Sequence, residues 1–332
     1  MSAPIRLAVV GLGTHGRSTC TVASAAGACV TGAADPAHAG RDLGELVGVP
    51  SLGGVTVGAD LDAIAWAAVD VAVIAVKLPV GEVAGVIERV LAHGADVITI
   101  VEDLFDLDSF APELRERLDR TAKAAGHTVV ATGSQDAGWG GIALHATALV
   151  RDLRGIHLRQ HVGVDGYPEE FLRWCGIGVD RDEWQDAADV AAETPSVFGA
   201  ILPVLTRKLG FTVTEQSREM QVITQDEPFS SVTYGRDIPA GQAIGRRDLV
   251  TLQTAEGIAM TAELSTSAVL GDDVYTLTLD AYPSLELRHR IEPGHASVDA
   301  TVINRLPDVL AAPPGLVATV DLPTPYYRSS LG

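Results

Sequence analysis

Two features of the 332-residue chain have the residue types and spacing that chemistry needs: a glycine-rich turn near the N-terminus and an acid that ends an apolar run. The turn reads Gly11-Leu12-Gly13-Thr14-His15-Gly16, between a strand-like Ile5–Val10 and a helix-like Thr14–Ala25. In that context the first glycine permits a tight turn, the second lets the backbone approach a pyrophosphate, and the third allows close helix packing. The helix N-terminus adds amide donors and its positive dipole end. Asp35 follows Gly16 at the interval of about 20 residues where a carboxylate accepts ribose hydroxyls. The competing reading is a turn-forming Asp-Pro pair. A carboxylate there repels a 2′-phosphate and favours NAD; His38 and Arg41 are near enough in sequence to offset the repulsion, so the cofactor is NAD(P) with NADP left open. Val76 and Lys77, in the turn after the run Val71–Val76, are expected on the nicotinamide side. Lys77 reads either as a base or as a phosphate-side cation.

The acid is Glu102, the first ionisable residue after the apolar Ile98–Val101. It is expected at the mouth of the crevice in partly desolvated surroundings, where a carboxylate exchanges protons near neutrality; a helix-capping or surface acid is the plainer reading, which suits Asp103 better. The next loop, Ala131-Thr132-Gly133-Ser134-Gln135-Asp136-Ala137-Gly138-Trp139-Gly140, carries Trp139 between glycines, an odd choice for a core and a natural one for a pocket. Further on, Tyr167 precedes Phe171, Trp174 and Cys175, which share one helical face at i, i+3 and i+4. Such a stripe is commonly core; in a chain only 5% aromatic its concentration favours a pocket wall, with the Tyr167 hydroxyl near a substrate nitrogen.

The elements that must position these residues follow from the periodicity. Apolar runs at Ile5–Val10, Ala28–Ala33, Val71–Val76, Asp96–Val101 and Thr128–Ala131, with a weaker one near Val55–Val57, alternate with helical stretches Thr14–Ala25, Pro79–His93 and Ala111–Ala125, which stop at Gly27, Gly94 and Gly126. This predicts an α/β fold whose N-terminal part is a doubly wound Rossmann domain over residues 1–134. After Gly133 the pattern changes. A strand over Gly155–Val164, helices over Pro168–Cys175 and Pro195–Leu209, and alternating strands over Phe211–Leu287 predict an α+β domain over 135–303 with a mostly antiparallel sheet. That sheet is expected to pack on a second copy, as a homodimer. A helix near Ala296–Leu310 and a proline-rich tail over Pro313–Pro325 follow, and residues 304–332 are expected to return to the first domain as an extended strap.

Composition excludes other classes. With 43 acidic and 24 basic residues the formal charge is −19, which argues against nucleic acid and polyanionic partners. Cys20, Cys29 and Cys175 form no metal-ligand or disulfide spacing, so no metal is expected and a reducing cytoplasm fits. No apolar run approaches membrane-spanning length and no basic region followed by an apolar stretch opens the chain.

Taken together, the fingerprint, the stretch Gly40-Arg41-Asp42-Leu43-Gly44-Glu45-Leu46, Glu102, the loop from Thr132-Gly133 to Gly138-Trp139, and the late stretch Asn304-Arg305-Leu306-Pro307 to Ala312-Pro313-Pro314-Gly315 resemble the 2,4-diaminopentanoate dehydrogenase family, whose fold is dihydrodipicolinate-reductase-like. Within it the chain is most similar to the native NAD(P)-dependent amine dehydrogenases. The resemblance covers nearly the whole chain. It implies oxidative deamination of a primary amine and, in reverse, reductive amination of a ketone or aldehyde by ammonia. Glu102 matches the family's catalytic glutamate and Trp139 its pocket aromatic. Asn304, after the helical run Ala296–Ile303, matches a position near the nicotinamide carboxamide, with a C-capping role as its competing reading. A diamino acid would need an arginine fork for its carboxylate, for which Arg159 and Arg173 are available; the apolar stripe favours simple aliphatic or alicyclic substrates. Related reductases carry a His-His pair and sugar dehydrogenases a Glu-Lys-Pro; here there is no such pair, and Asp103 follows Glu102. A non-catalytic NAD(P) sensor would need the fingerprint but no acid at 102.

Overall fold

The computed structural model describes residues 3–185, 196, 198–269, 274–290 and 294–331. Contacts divide the chain into one unit of Met1–Gly141 with His295–Gly332 and another of Ile142–Gly294.

The first unit begins with strands β1 (Arg6–Val10), β2 (Cys29–Ala34), β3 (Val71–Ile74), β4 (Asp96–Thr99) and β5 (Thr128–Ala131). Helices α1 (Thr14–Ala25), α2 (Leu43–Val47), α3 (Val80–Ala92), α4 (Leu107–Phe110) and α5 (Pro112–Ala125) connect or flank them. The strands are short, apolar and mostly buried on both sides, as a sheet covered on two faces requires. Alternation distributes their side chains. Ala72, Ile74, Val97 and Val129 pack under Val83, Ile87, Val90 and Leu91 of α3 and Leu118 and Ala122 of α5. Val71, Val73, Ile98 and Val130 face the other way with Leu7, Val9 and the α1 residues Cys20 and Ala23. Helix α5 starts on Pro112, carries Glu113 in its first turn and Lys123 in its last, and stops at Gly126 in the left-handed region, so its ends are set by local chemistry.

The second unit contains α6 (Ile142–Thr147), β6 (Arg151–Gly163), α7 (Glu169–Trp174), α8 (Ile201–Leu209) and β7 (Val213–Thr224), then a small hairpin of β8 (Phe229–Ser231) and β9 (Arg236–Ile238). Four long strands follow: β10 (Ala243–Thr254), β11 (Ala259–Ser267), β12 (Val274–Tyr282) and β13 (Leu285–Arg290). The large sheet runs β13-β12-β6-β11-β10-β7, antiparallel except between β6 and β11. Helix α8 begins at Ile201; the expected start at Pro195 lies outside the described residues.

The chain then forms α9 (Gly294–Ala311) and β14 (Gly315–Leu316). Val302, Ile303, Leu306 and Val309 of α9 complete the core over Leu7, Val9 and Leu12, so the return to the first unit begins with this helix and not at Asn304. The parallel sheet is six strands in the order β14-β5-β4-β3-β1-β2. Its sixth strand is the two-residue β14 in the tail, paired with Thr128 and Val129. The weaker strand expected at Val55–Val57 is absent: that segment makes only isolated bridges, Asp42 to Thr56 and Ala34 to Gly58. Among the described residues no helix is long and apolar enough to cross a membrane, and no cluster of potential metal ligands occurs.

Candidate functional site

The register of the parallel sheet levels Ala34, Val10, Ile74, Thr99 and Ala131 along its carboxyl edge. The loops that leave these strand ends are therefore presented on one side. Gly11 follows β1, Asp35 follows β2, Lys77 lies three residues beyond β3, Glu102 lies three beyond β4, and Thr132 follows β5. Ligands of open α/β sheets bind at this edge where the strand order reverses, here between β1 and β3.

A cleft of about 460 Å³ opens there. Val10, Gly11, Gly13, Ala34, Asp35, Val76 and Lys77 line it, and so do residues not singled out from the sequence: Asp60, Leu61, Leu78, Val86 and Arg89. Gly11 has φ of +88° and a Cβ there would sit 2.5 Å from the Ala75 carbonyl oxygen. At Gly16 a Cβ would collide with the Gly11 oxygen at 1.8 Å. Both positions therefore exclude a side chain, whereas the space around Gly13 is open, as a backbone approach to phosphate requires. No side chain caps α1, so its first-turn amides remain available to an anion. The residues fit a dinucleotide.

Asp35 is placed by two amides: its Oδ2 accepts from Leu12 N at 2.6 Å and its Oδ1 from Ala37 N at 2.8 Å. It caps the Pro36–His38 turn and faces the cleft. Leu12 is buried beneath the loop. Thr14 begins α1, and His15 Nδ1 lies 2.9 Å from Asp299 Oδ1 of α9, a tie between the loop and the C-terminal helix. His38 is half-buried and Arg41 exposed; neither lines the cleft. In the Gly40–Leu46 stretch the working residue is Asp42. Backbone amides of Gly54 and Glu45 hold its carboxylate below the usual range, so the stretch is a helix cap.

Glu102 opens a single helical turn, Glu102–Leu104, and its side chain is exposed. The partly desolvated setting expected for it is not supplied by the strand it follows, because the apolar residues before it turn inward. Trp139 is 7% exposed and sits in a π-helical turn over Gln135–Gly141, an irregularity that often marks functional positions. That turn is fastened from below. Asp136 accepts from Thr132 Oγ1 at 2.7 Å and from Arg305 Nε and Nη2 at 2.6 and 2.7 Å. Arg305 also donates to the carbonyls of Thr319 and Pro323, tying the tail to the same point.

Asn304 is not a C-cap, since α9 continues through Pro307 to Ala311. Its Oδ1 accepts from the Arg328 amide at 3.0 Å, and it lies outside the lining of the cleft.

In the second unit, α7 brings Tyr167, Phe171 and Trp174 into a chain of tilted rings, with centroids 5.4 and 5.6 Å apart. The helical face is split by burial: Cys175 is buried and Trp174 is 61% exposed. Arg173 pairs with Glu169, and Arg159 lies 3.8 Å from Glu263. The guanidinium that lies on this aromatic group is Arg246, 4.0 Å above the Trp174 ring, a residue no local sequence signal singles out. Burial pushes the Cys175 thiol up to about 11 and the Cys20 thiol up to about 12, while Cys29 is exposed. A maleimide reagent at pH 7.5 should accordingly label the native protein once, at Cys29, and mass spectrometry of the digest reads the site. Equal labelling of Cys175 would contradict the buried placement.

A scan of family models and a sequence comparison with curated proteins return no match. Solved structures do match. The amine dehydrogenase from Mycobacterium smegmatis aligns with a TM-score of 0.87 and 26% identity, over 99% of this chain and 98% of its own. UDP-N-acetylglucosamine 3-dehydrogenase GnnA from Acidithiobacillus ferrooxidans aligns with a TM-score of 0.58 and 13% identity over 96% and 94%. GenD2 from gentamicin A biosynthesis, solved with NAD, gives 0.52 and 15% over 87% and 73%. The last two share the fold alone. The chain thus has the fold of the NAD-dependent dehydrogenases and matches the Mycobacterium smegmatis amine dehydrogenase in structure from end to end.

Proposed function

We propose that this protein is an NAD(P)-dependent amine dehydrogenase that aminates small aliphatic or alicyclic ketones and aldehydes with ammonia and, in reverse, deaminates the primary amines. The full-length match to the Mycobacterium smegmatis enzyme carries this reading, and the acid at the carboxyl edge of β4 supports it. When bound, the dinucleotide exchanges hydride with the carbon that bears nitrogen. Glu102 takes a proton from ammonium so that ammonia can add to the carbonyl; water then leaves, and the same carboxylate stabilises the iminium cation. Substrate contacts are assigned to Trp139 and, in the second unit, to Tyr167, Phe171, Trp174 and Cys175. The phosphates are assigned to the Gly11–Gly16 loop, with Val76 and Lys77 beyond it. Lys77 is exposed, which suits a phosphate-side cation. His38 and Arg41 leave NADP use open, and Asn304 acts through the tail. The polar open face of the second unit's sheet, where Arg159, His161 and Arg247 surround Glu263, is assigned to a second copy in a homodimer.

Oxidation of an amine panel with NAD and NADP side by side tests the reading: absorbance at 340 nm should rise with at least one amine, and silence across the panel favours a sensor. Asp35→Ala should lower kcat/KM for NAD about 10- to 100-fold, as expected for losing charge-assisted hydrogen bonds to ribose, and should lower that for NADP less. Unchanged NAD kinetics would remove Asp35 from the ribose site.

A further inference from the structure

Arg89 lines the cofactor cleft and has no part in the proposed chemistry. It follows Val86 on α3 by about one helical turn, and both share the cleft with Asp35, Asp60 and Leu61. Its guanidinium is held at the rim, where Nη2 donates to Asp62 Oδ1 at 3.0 Å and the two side chains are 51% and 73% exposed. Asp62 is the fixed member of this pair. Asp60 Oδ1 accepts from the Asp62 amide at 3.0 Å and the Trp66 indole donates to the Leu61 carbonyl at 2.9 Å, which pins the turn that carries Asp62. The arginine is the mobile member, a long side chain on a helix surface. An exposed ion pair contributes little and is screened by salt, so an anion that enters the cleft competes with Asp62 for the guanidinium at low cost.

The rest of the lining indicates which anion. Asp35 stands where a ribose hydroxyl is accepted, and the apolar Leu61, Leu78 and Val86 suit an adenine. A phosphate on the 2′ oxygen of that ribose meets the Asp35 carboxylate and needs a cation from the same lining. His38 and Arg41 follow Asp35 in sequence but do not line the cleft. Lys77 does, yet it follows Val76, which lies against Gly11, and so belongs to the pyrophosphate end. Arg89 has the fork of donors that suits a phosphate.

We propose that Arg89 is the residue that admits NADP: its guanidinium leaves Asp62 and takes the 2′-phosphate, so that the protein binds both dinucleotides despite Asp35. This rests on the dinucleotide reading of the cleft and is independent of the amine reaction.

The test measures binding without turnover. Fluorescence titration with NADPH and NADH should give wild-type dissociation constants within about tenfold of each other. Arg89→Gln should weaken NADPH about 10- to 100-fold relative to NADH, as expected for losing charge-assisted hydrogen bonds to a phosphate, and Arg89→Lys should recover part of that loss. Asp62→Ala should strengthen NADPH binding about two- to fivefold, because the guanidinium no longer has a competitor. Calorimetry with adenosine 2′,5′-bisphosphate and adenosine 5′-monophosphate isolates the contact from the nicotinamide half, and the bisphosphate alone should respond to Arg89→Gln. If the wild type binds neither NADH nor NADPH, the dinucleotide reading of the cleft fails, and the Arg89 assignment with it. If NADH binds while NADPH is more than a hundredfold weaker, or if Arg89→Gln shifts the two equally, the dinucleotide reading stands and the 2′-phosphate contact is wrong. A loss of NADPH affinity in Asp62→Ala would overturn the exchange of partners.

Discussion

Glu102→Ala is expected to lower kcat for amine oxidation by about 10³-fold or more while leaving the dissociation constant for NAD(P)H within about twofold. The two halves of this expectation come from different places in the structure. Proton transfer by a positioned carboxylate is worth roughly 10²- to 10⁴-fold, and stabilisation of developing charge adds to it, so one group that does both leaves a large deficit when removed. The cleft proposed for the dinucleotide is lined by the ends of β1 and β2 and the loops after them, Ala59–Leu61, the turn Ala75–Leu78 after β3, and α3, and does not include residue 102. Steady-state kinetics and fluorescence titration with NAD(P)H check the two quantities separately. Glu102→Gln keeps the shape and loses both the proton acceptor and the charge, so it should fall nearly as far. A loss of less than tenfold in either variant would assign the proton chemistry elsewhere, and Lys77 would be the next residue to change.

Arg305→Met should lower stability by about 3–5 kcal/mol. Arg305 and Asp136 are each 2% exposed, and their fork of two short hydrogen bonds is closed by Thr132 and by the tail carbonyls. Removing the arginine leaves a carboxylate buried without its counter-charge, on a scale comparable with a large part of the total stability of a domain. Urea unfolding followed by circular dichroism measures it as a lower midpoint at unchanged slope. The pair Asp136→Leu with Arg305→Met should recover much of the loss, because two apolar side chains leave no orphan charge. If Arg305→Met alone costs under about 1 kcal/mol, water reaches this site. The same turn carries Trp139, which the proposed function assigns to the substrate, so on that proposal amine KM should rise in Arg305→Met more than cofactor affinity changes.

Local chemistry makes most of the first unit legible. Strands such as Val71–Ile74 are buried on both faces and announce themselves as apolar runs, and Thr14–Ala25 and Thr128–Ala131 begin and end where periodicity places them. The glycine loop is readable because Gly11 and Gly16 answer steric demands that no other residue meets. The features that escape a sequence reading depend on partners distant along the chain. Strand β14 is two residues of a proline-rich tail, recognisable only by its pairing with β5. Asn304 resembles a helix end because Pro307 comes soon after it, yet packing of Leu306 and Val309 into the core carries α9 through it. The Asp136–Arg305 fork spans 169 residues, and no spacing rule connects its ends. Arg246 is hidden among charged residues of an alternating strand, distinguished only by its surroundings.

A ketone incubated with NADH and ¹⁵N-ammonium tests the central claim most directly. Mass spectrometry should find the labelled primary amine formed one for one with NADH consumed, and neither should appear with Glu102→Ala. Formation of the alcohol from the ketone, or consumption of NADH without nitrogen incorporation, would contradict the assignment and place the protein among dehydrogenases that act on carbon–oxygen bonds.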